Sequence, residues 1–225
     1  MTMSPNPSIG EALPMIVLGA GGHARSVVDS IQRAADYRVV AMVGAGSEEG
    51  SYRGIPILSG DECLVRLKER GVSAAHVGIG YLGEGALRRK LVGQLLGLGF
   101  ELPPVVDPTA ILAEDASVGA GAFLGKRAVV NVGACIGAQC IINTSAVVEH
   151  DSTIGEFSHL APGAVVCGGC RIGADSFIGA HATIIHSVSV GRGCTVGAGS
   201  VVLDDVRPET TIAGVPAHAI ETGSA

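Results

Sequence analysis

Tryptophan is absent from this 225-residue chain, which has only four Phe and three Tyr. Any core must therefore be built from Val, Ile, Leu and Ala. Charge is also scarce, at 16% of residues with a net of −6. No block of Lys and Arg appears, which argues against a nucleic-acid groove or a patch for anionic membranes. Apolar runs fall far short of a bilayer span. The opening MTMSPNPSIGEALP has neither a basic start nor an apolar stretch, so no signal peptide is expected there and a cytoplasmic location is. What the chain does have is 47% hydrophobic residues and 34 glycines, a folded rather than a disordered composition. Its length suits one large or two small domains.

Two rhythms divide it. From residue 15 to about 100, short apolar runs alternate with helical patterns. MIVLGA (15–20), RVVAMVG (38–44), IPIL (55–58) and AAHVGIG (74–80) read as strands; HARSVVDSIQRA (23–34), DECLVRLKERG (61–71) and GALRRKLVGQLLGLG (85–99) read as helices. Such alternation predicts a parallel sheet flanked by helices, a small Rossmann-like domain over 15–104 after an N-terminal extension (1–14).

Beyond Pro103-Pro104 and Asp107-Pro108 the period becomes six. Stepping by six from Val106 to Val202 meets Val, Ile or Leu at all seventeen positions. Two places earlier, from Ala116 to Ser200, stands Ala, Ser or Cys, with Val188 the exception. Gly follows the aliphatic in eight repeats, for example at 119, 137, 155 and 173. A hexad fits neither helix nor plain strand. It fits a solenoid whose 18-residue turn has three flat sides, the aliphatic inside, the small residue near the axis, and Gly or Asn accepting the corner dihedrals. The expected span is 105–206, with a tail over 207–225. In this register Cys140, Cys170 and Cys194 face inward and read as packing, and Cys167-x-x-Cys170 lacks the second pair a zinc site requires.

Residues 18 apart stack about one strand spacing (~4.8 Å) from each other. His150, Gly168 and His186 thus form an outward column. A glycine beside a histidine leaves a gap in the side-chain wall and a free N–H, as a thioester carbonyl next to a general base would need. Asp151 follows His150 directly. His159 lies half a turn away, so it should face another direction and join His150 only where two subunits meet edge to edge, as in a trimer. The pair His181/His186 raises a zinc alternative. The third ligand of such sites, 36 positions earlier, falls on Ser145, so no metal is expected. VLGAGGHARSVV (17–28) places Gly19, Gly21 and Gly22 between a strand and a helix start, a phosphate-binding arrangement. The domain is too short for two mononucleotide halves, which favours a single nucleotide or nucleotide sugar over NAD.

GAGGH (19–23), INTSAVVEHDSTIGEFSHLAPGA (142–164), VCGG (166–169) and IAGVPA (212–217), with IG (79–80) and LRRKL (87–91), resemble the family of sialic-acid O-acetyltransferases and nucleotide-aminosugar N-acetyltransferases of the bacillosamine and perosamine type. The resemblance spans 15–220. It implies a left-handed parallel β-helix and transfer of acetyl from acetyl-CoA to a nucleotide-linked amino sugar in bacterial glycan biosynthesis, by a homotrimer with sites between subunits. It further implies that His150 is the base and Asp151 its orienting acid. Gly168 would polarise the thioester, with His159 and His186 lining the acetyl-CoA site. Gly21, Gly22, His23 and Arg88 would hold the nucleotide sugar. Relatives that bind UDP-sugars usually carry Asp after the second strand, where this chain has Val43-Gly44-Ala45, which leaves the base open. Acetyl transfer to a hydroxyl of a sialic acid, and a non-catalytic solenoid that assembles a glycan-synthesis complex, are the alternatives.

Overall fold

In the N-terminal half, four of five strands run parallel because their sequences are apolar on both faces and helices cover them. In the computed structural model, which describes residues 12–44, 50–80 and 85–220, the elements run β1 (Leu13–Leu18), α1 (Gly22–Ala34), β2 (Tyr37–Gly44), β3 (Gly50–Tyr52), β4 (Ile55–Ser59), α2 (Glu62–Glu69), β5 (Ala74–Val77) and α3 (Ala86–Gly97). The sheet order is β3-β4-β2-β1-β5; β3 alone is antiparallel, to β4. Sequence patterning located every one of these elements except β3, whose Gly-Ser-Tyr carries no alternation. Helix α1 buries Ala24, Val27, Val28 and Ile31, the i, i+3, i+4, i+7 stripe of a one-faced helix. It ends where Ala35 turns left-handed (φ 65°) and returns its N–H to the Ile31 carbonyl.

From Val105 the chain winds into a three-sided prism of two-residue strands. The first face holds 105–106, 123–124, 141–142, 159–160, 177–178 and 195–196; the second holds 111–112 and every eighteenth pair to 201–202; the third runs from 117–118 to 189–190. All neighbours pair in parallel with a shift of eighteen, as Val129 with Val147 and Val147 with Val165. The stepped aliphatics from Leu124 to Val202 are buried and share one core with Ala, Ser and Cys two places before them. Val106, Leu112 and Val118 are partly open, because the first coil has no coil beneath it. The segment after 206 is not detached: Thr211–Gly214 joins the first face beside Thr195–Val196, and Ala217–Ala219 turns back on it.

One expectation about corners is corrected. The glycine after each aliphatic does not supply the left-handed dihedral; that falls two residues later, at Arg127, Gly133, Gln139, Ser145, Asp151 and their successors. The glycines that follow the aliphatics answer a different demand. A Cβ on Gly155 would stand 2.8 Å from Ala174 Cα, so these residues are small because successive coils nearly touch there.

The first face is where the N-terminal domain sits. Val105, Phe123 and Ile141 pack in one cluster with Met15, Val17, Val27 and Val28. At one margin Arg89 pairs with Asp175 (2.7 Å) and lies 3.9 Å over the Phe157 ring; at the other Lys126 pairs with Asp29 (2.9 Å). Asp107, fully buried in the junction, accepts hydrogen bonds from Ser30 Oγ (2.7 Å), Thr109 N–H (2.9 Å) and Thr109 Oγ1 (2.6 Å). Burial alone would push its carboxyl up, but these bonds and the Lys126 charge hold it down at about 2.

Candidate active site

The turn after the second-face strand Val147–Val148 carries His150 and Asp151 on the edge between the second and third faces. Asp151 occupies the left-handed corner position (φ 59°), which Asp tolerates better than most residues. Its Oδ2 lies 2.9 Å from His150 Nδ1. An ionised carboxylate accepts only, so Nδ1 donates and the neutral ring keeps its lone pair on Nε2. Both side chains are exposed in the single chain, at 56% and 74%.

Glycines one turn away make room for both. A Cβ on Gly133 would stand 2.8 Å from Asp151 Oδ1. A Cβ on Gly168 would stand 2.6 Å from His150 Cε1 and closer still to Nε2, so the ring lies directly against Gly168. The Gly168 carbonyl accepts from Ser187 N–H (2.9 Å), whereas its own N–H makes no hydrogen bond among the described residues. A ring nitrogen with a lone pair and an unbonded amide thus stand side by side. His186, next in the column, is exposed.

His159 is elsewhere. It was expected to face another direction than His150, and it does, on the first face; but that position is not open to solvent, and His159 is 5% exposed under the N-terminal domain. Its ring packs edge-on against Phe177 (5.3 Å) and accepts the Asn143 amide on Nε2 (3.2 Å). Asn143 is fixed by its other end, whose Oδ1 takes the Thr144 N–H (2.8 Å). Asn143 escaped the sequence reading because outward phases of the repeat carry no pattern.

A cleft of 880 Å³ opens in the N-terminal domain at the carboxyl ends of its parallel strands, lined by Gly19, Gly21, Gly22, Gly44, Asp61 and Gly78 among others. This is where open parallel sheets bind ligands. Gly21 and Gly22 are exposed at the start of α1, whose N–H groups face an incoming anion. His23 lines the cleft too, but its ring turns inward against Phe123 (5.5 Å). Burial, with the nearby charges of His159 and Arg88, lowers it to about 4, so it is neutral and is no cationic phosphate partner. Arg88 was expected at the phosphates; it is only 2% exposed, and its charge acts on the buried rings of His23 and His76. His76, unremarked in the sequence, is buried on β5. Burial, with the Arg88 charge, lowers His76 to about 3.

One chain does not unite these parts. The cleft belongs to a domain seated on the first face, and His150 stands on the prism edge opposite that face.

Comparison with known proteins places the whole arrangement. Residues 14–95 match the PglD N-terminal domain, and 169–204 the bacterial transferase hexapeptide (six repeats). A histidine-to-asparagine variant of perosamine N-acetyltransferase from Caulobacter crescentus, in complex with CoA and GDP-perosamine, superposes with a TM-score of 0.87 at 33% identity, over 95% of this chain and 98% of that one. The acetyltransferase domain of PglB from Neisseria gonorrhoeae FA1090, in complex with acetyl coenzyme A, gives 0.84 at 32%, over 93% and 100%. No curated protein sequence matches. Among the described residues no helix is long and apolar enough to cross a membrane. The prism is accordingly a left-handed parallel β-helix of hexapeptide repeats. The chain belongs to the hexapeptide-repeat acyltransferase family of the perosamine and bacillosamine N-acetyltransferases.

Proposed function

We propose that this protein transfers acetyl from acetyl-CoA to the amino group of a nucleotide-linked 4-amino-4,6-dideoxy sugar, with His150 as general base. The observation that carries the reading is the His150–Asp151 pair (2.9 Å) set against the unbonded Gly168 N–H. In the proposed step the acceptor nitrogen attacks the thioester carbonyl carbon. His150 Nε2 takes the N–H proton as the C–N bond forms, and Asp151 stabilises the resulting imidazolium. The carbonyl oxygen, gaining negative charge, accepts from Gly168 N–H. Collapse breaks the C–S bond, and the CoA thiolate leaves with the proton from His150. The buried cysteines are no nucleophiles for a covalent alternative, and burial pushes the Cys140 thiol up to about 12.

The nucleotide sugar would lie in the glycine cleft, its diphosphate on Gly21 and Gly22. Since cleft and base lie on opposite sides of one chain, the active site is completed by a second copy, as in a cytoplasmic homotrimer. The test is release of free CoA with a panel of acceptors. Turnover with nucleotide-linked 4-amino sugars is expected. Turnover with sialic acids alone would replace this reading by O-acetylation, and no turnover with any acceptor would favour a non-catalytic assembly role.

A further inference from the structure

The coils of the prism leave one kind of backbone N–H without a backbone partner. The residue directly after an inward aliphatic donates its N–H to the next coil, as Asn131 does to the Val148 carbonyl (2.9 Å), Glu149 to Val166 (2.9 Å) and Cys167 to Ile184 (3.0 Å). Two places on, the left-handed corner residue donates to the coil before, as Asp151 does to the Val132 carbonyl (3.0 Å) and Gly169 to His150 (2.9 Å). Between them, the N–H groups of Val132, Thr144, His150 and Gly168 meet no backbone acceptor among the described residues. Three of the four are closed by the side chain just before them. Asn131 Oδ1 accepts the Val132 N–H (2.8 Å), Asn143 Oδ1 the Thr144 N–H (2.8 Å) and Glu149 Oε2 the His150 N–H (3.3 Å).

Cys167 holds the same place on the same backbone. Its own N–H makes the same ladder bond, and Gly169 (φ 71°) turns left-handed after it as Gly133 (66°), Ser145 (56°) and Asp151 (59°) do after the three that close. Only the side chain differs. Sulfur is a weak acceptor, and no bond joins the thiol to Gly168 N–H, which stays open against the His150 ring. Adjacent coils therefore treat one amide in opposite ways. Glu149, itself held by Asn131 Nδ2 (2.9 Å), ties down the backbone of His150, and Cys167 withholds an acceptor from Gly168. The difference matters chemically. An amide already bonded within the chain must give up that bond before it can serve a developing oxyanion, whereas an open one is preorganised.

Resting on the reading of Gly168 N–H as the donor to the thioester, we propose that Cys167 is a positioning residue, which keeps that amide open by lacking the acceptor that Asn131, Asn143 and Glu149 supply at the same place. The test sets Cys167→Asn beside Cys167→Leu, which has the shape of asparagine without its acceptor; Leu203 already stands at this place in a later coil. CoA release is measured over a range of acetyl-CoA and of a nucleotide-linked 4-amino sugar, and hydrogen exchange is followed at the Gly168 amide. Cys167→Asn is expected to slow that exchange and to lower kcat by about tenfold, since one internal hydrogen bond must break first, with the KM of both substrates little changed. Cys167→Leu is expected to keep the parental exchange and kcat. Unchanged exchange in Cys167→Asn overturns the proposal, because the preceding side chain then does not govern the amide. A Leu variant that falls as far as the Asn variant overturns it too, since bulk then accounts for the loss. Slowed exchange with parental kcat overturns the reading of the Gly168 amide as donor, on which the proposal rests. A parent that transfers acetyl to no amino sugar overturns the proposed function itself.

Discussion

Replacing Gly168 by Ala exchanges a hydrogen for a methyl group at the point where the proposed chemistry is densest. The new methyl would stand 2.6 Å from His150 Cε1, 3.0 Å from Cδ2 and nearer still to Nε2. Real Cβ atoms do not approach other carbons so closely, so the exposed ring must swing away. Leaving its place stretches the 2.9 Å bond to Asp151 and carries Nε2 out of the gap beside the Gly168 amide. The methyl also crowds the position of the thioester oxygen. Loss of one oxyanion donor costs about 10²–10³ in turnover, and loss of an aligned base about 10²–10⁴. Because both act on one step, the combined loss should be at least about 10² and less than their product. The fold should be nearly indifferent, since Gly168, unlike its neighbour, is not in the left-handed region. Gly169→Ala is the control: at φ 71° it strains the backbone by about 1–2 kcal/mol, but its Cβ meets nothing nearer than Ser187 Oγ at 3.4 Å. The assay is the initial rate of CoA release at saturating substrates, with the melting temperature of each variant. A Gly168→Ala enzyme that turns over like the parent while Gly169→Ala fails would refute the reasoning.

Two further outcomes are expected. His23 (about 4) and His76 (about 3) are held below their ordinary 6.5, so the unfolded chain binds more protons below that value. Their neutral burial contributes fully above pH 6.5 and is lost as pH falls, about 1.4 kcal/mol each at about pH 5.5. Denaturant titrations should therefore show about 3 kcal/mol less stability near pH 5.5 than at neutrality, and His76→Leu should remove about half of that difference; an unchanged slope in the variant would disprove the assignment. On the proposal that the base of one chain serves the cleft of another, co-expressed His150→Ala and Gly22→Glu chains should form mixed assemblies more active than either parent. Gly22 has open space around it, so the glutamate blocks the anion site without disturbing the fold; absence of complementation would place base and cleft on the same chain.

The prism was legible because its rule is one-dimensional. An inward aliphatic every six residues leaves no alternative, and the register then fixed which residues stack, Gly168 upon His150 among them. The three-dimensional contacts were not legible. His159 has the outward phase of its strand, and nothing in the hexad tells that Phe123, Ile141 and Phe177 on the same face are covered by another domain. The same covering took Arg88 and the His23 ring out of the cleft and made a buried junction with His76. A single histidine in the run AAHVGIG was the one available sign, and burial among apolar neighbours is its cause. Asp61 was visible as the start of a helix; that it does not cap, and faces a cleft, follows from backbone angles no sequence pattern carries.

The central claim is that His150 moves the proton as acetyl passes to an amine. Single-turnover transfer by His150→Asn, with acetyl-CoA and a nucleotide-linked 4-amino sugar both saturating, tests it most directly. The account predicts a fall of about 10²–10⁴ in the transfer rate with the affinity for both substrates and the assembly unchanged. A variant that transfers acetyl at the parental rate would contradict it.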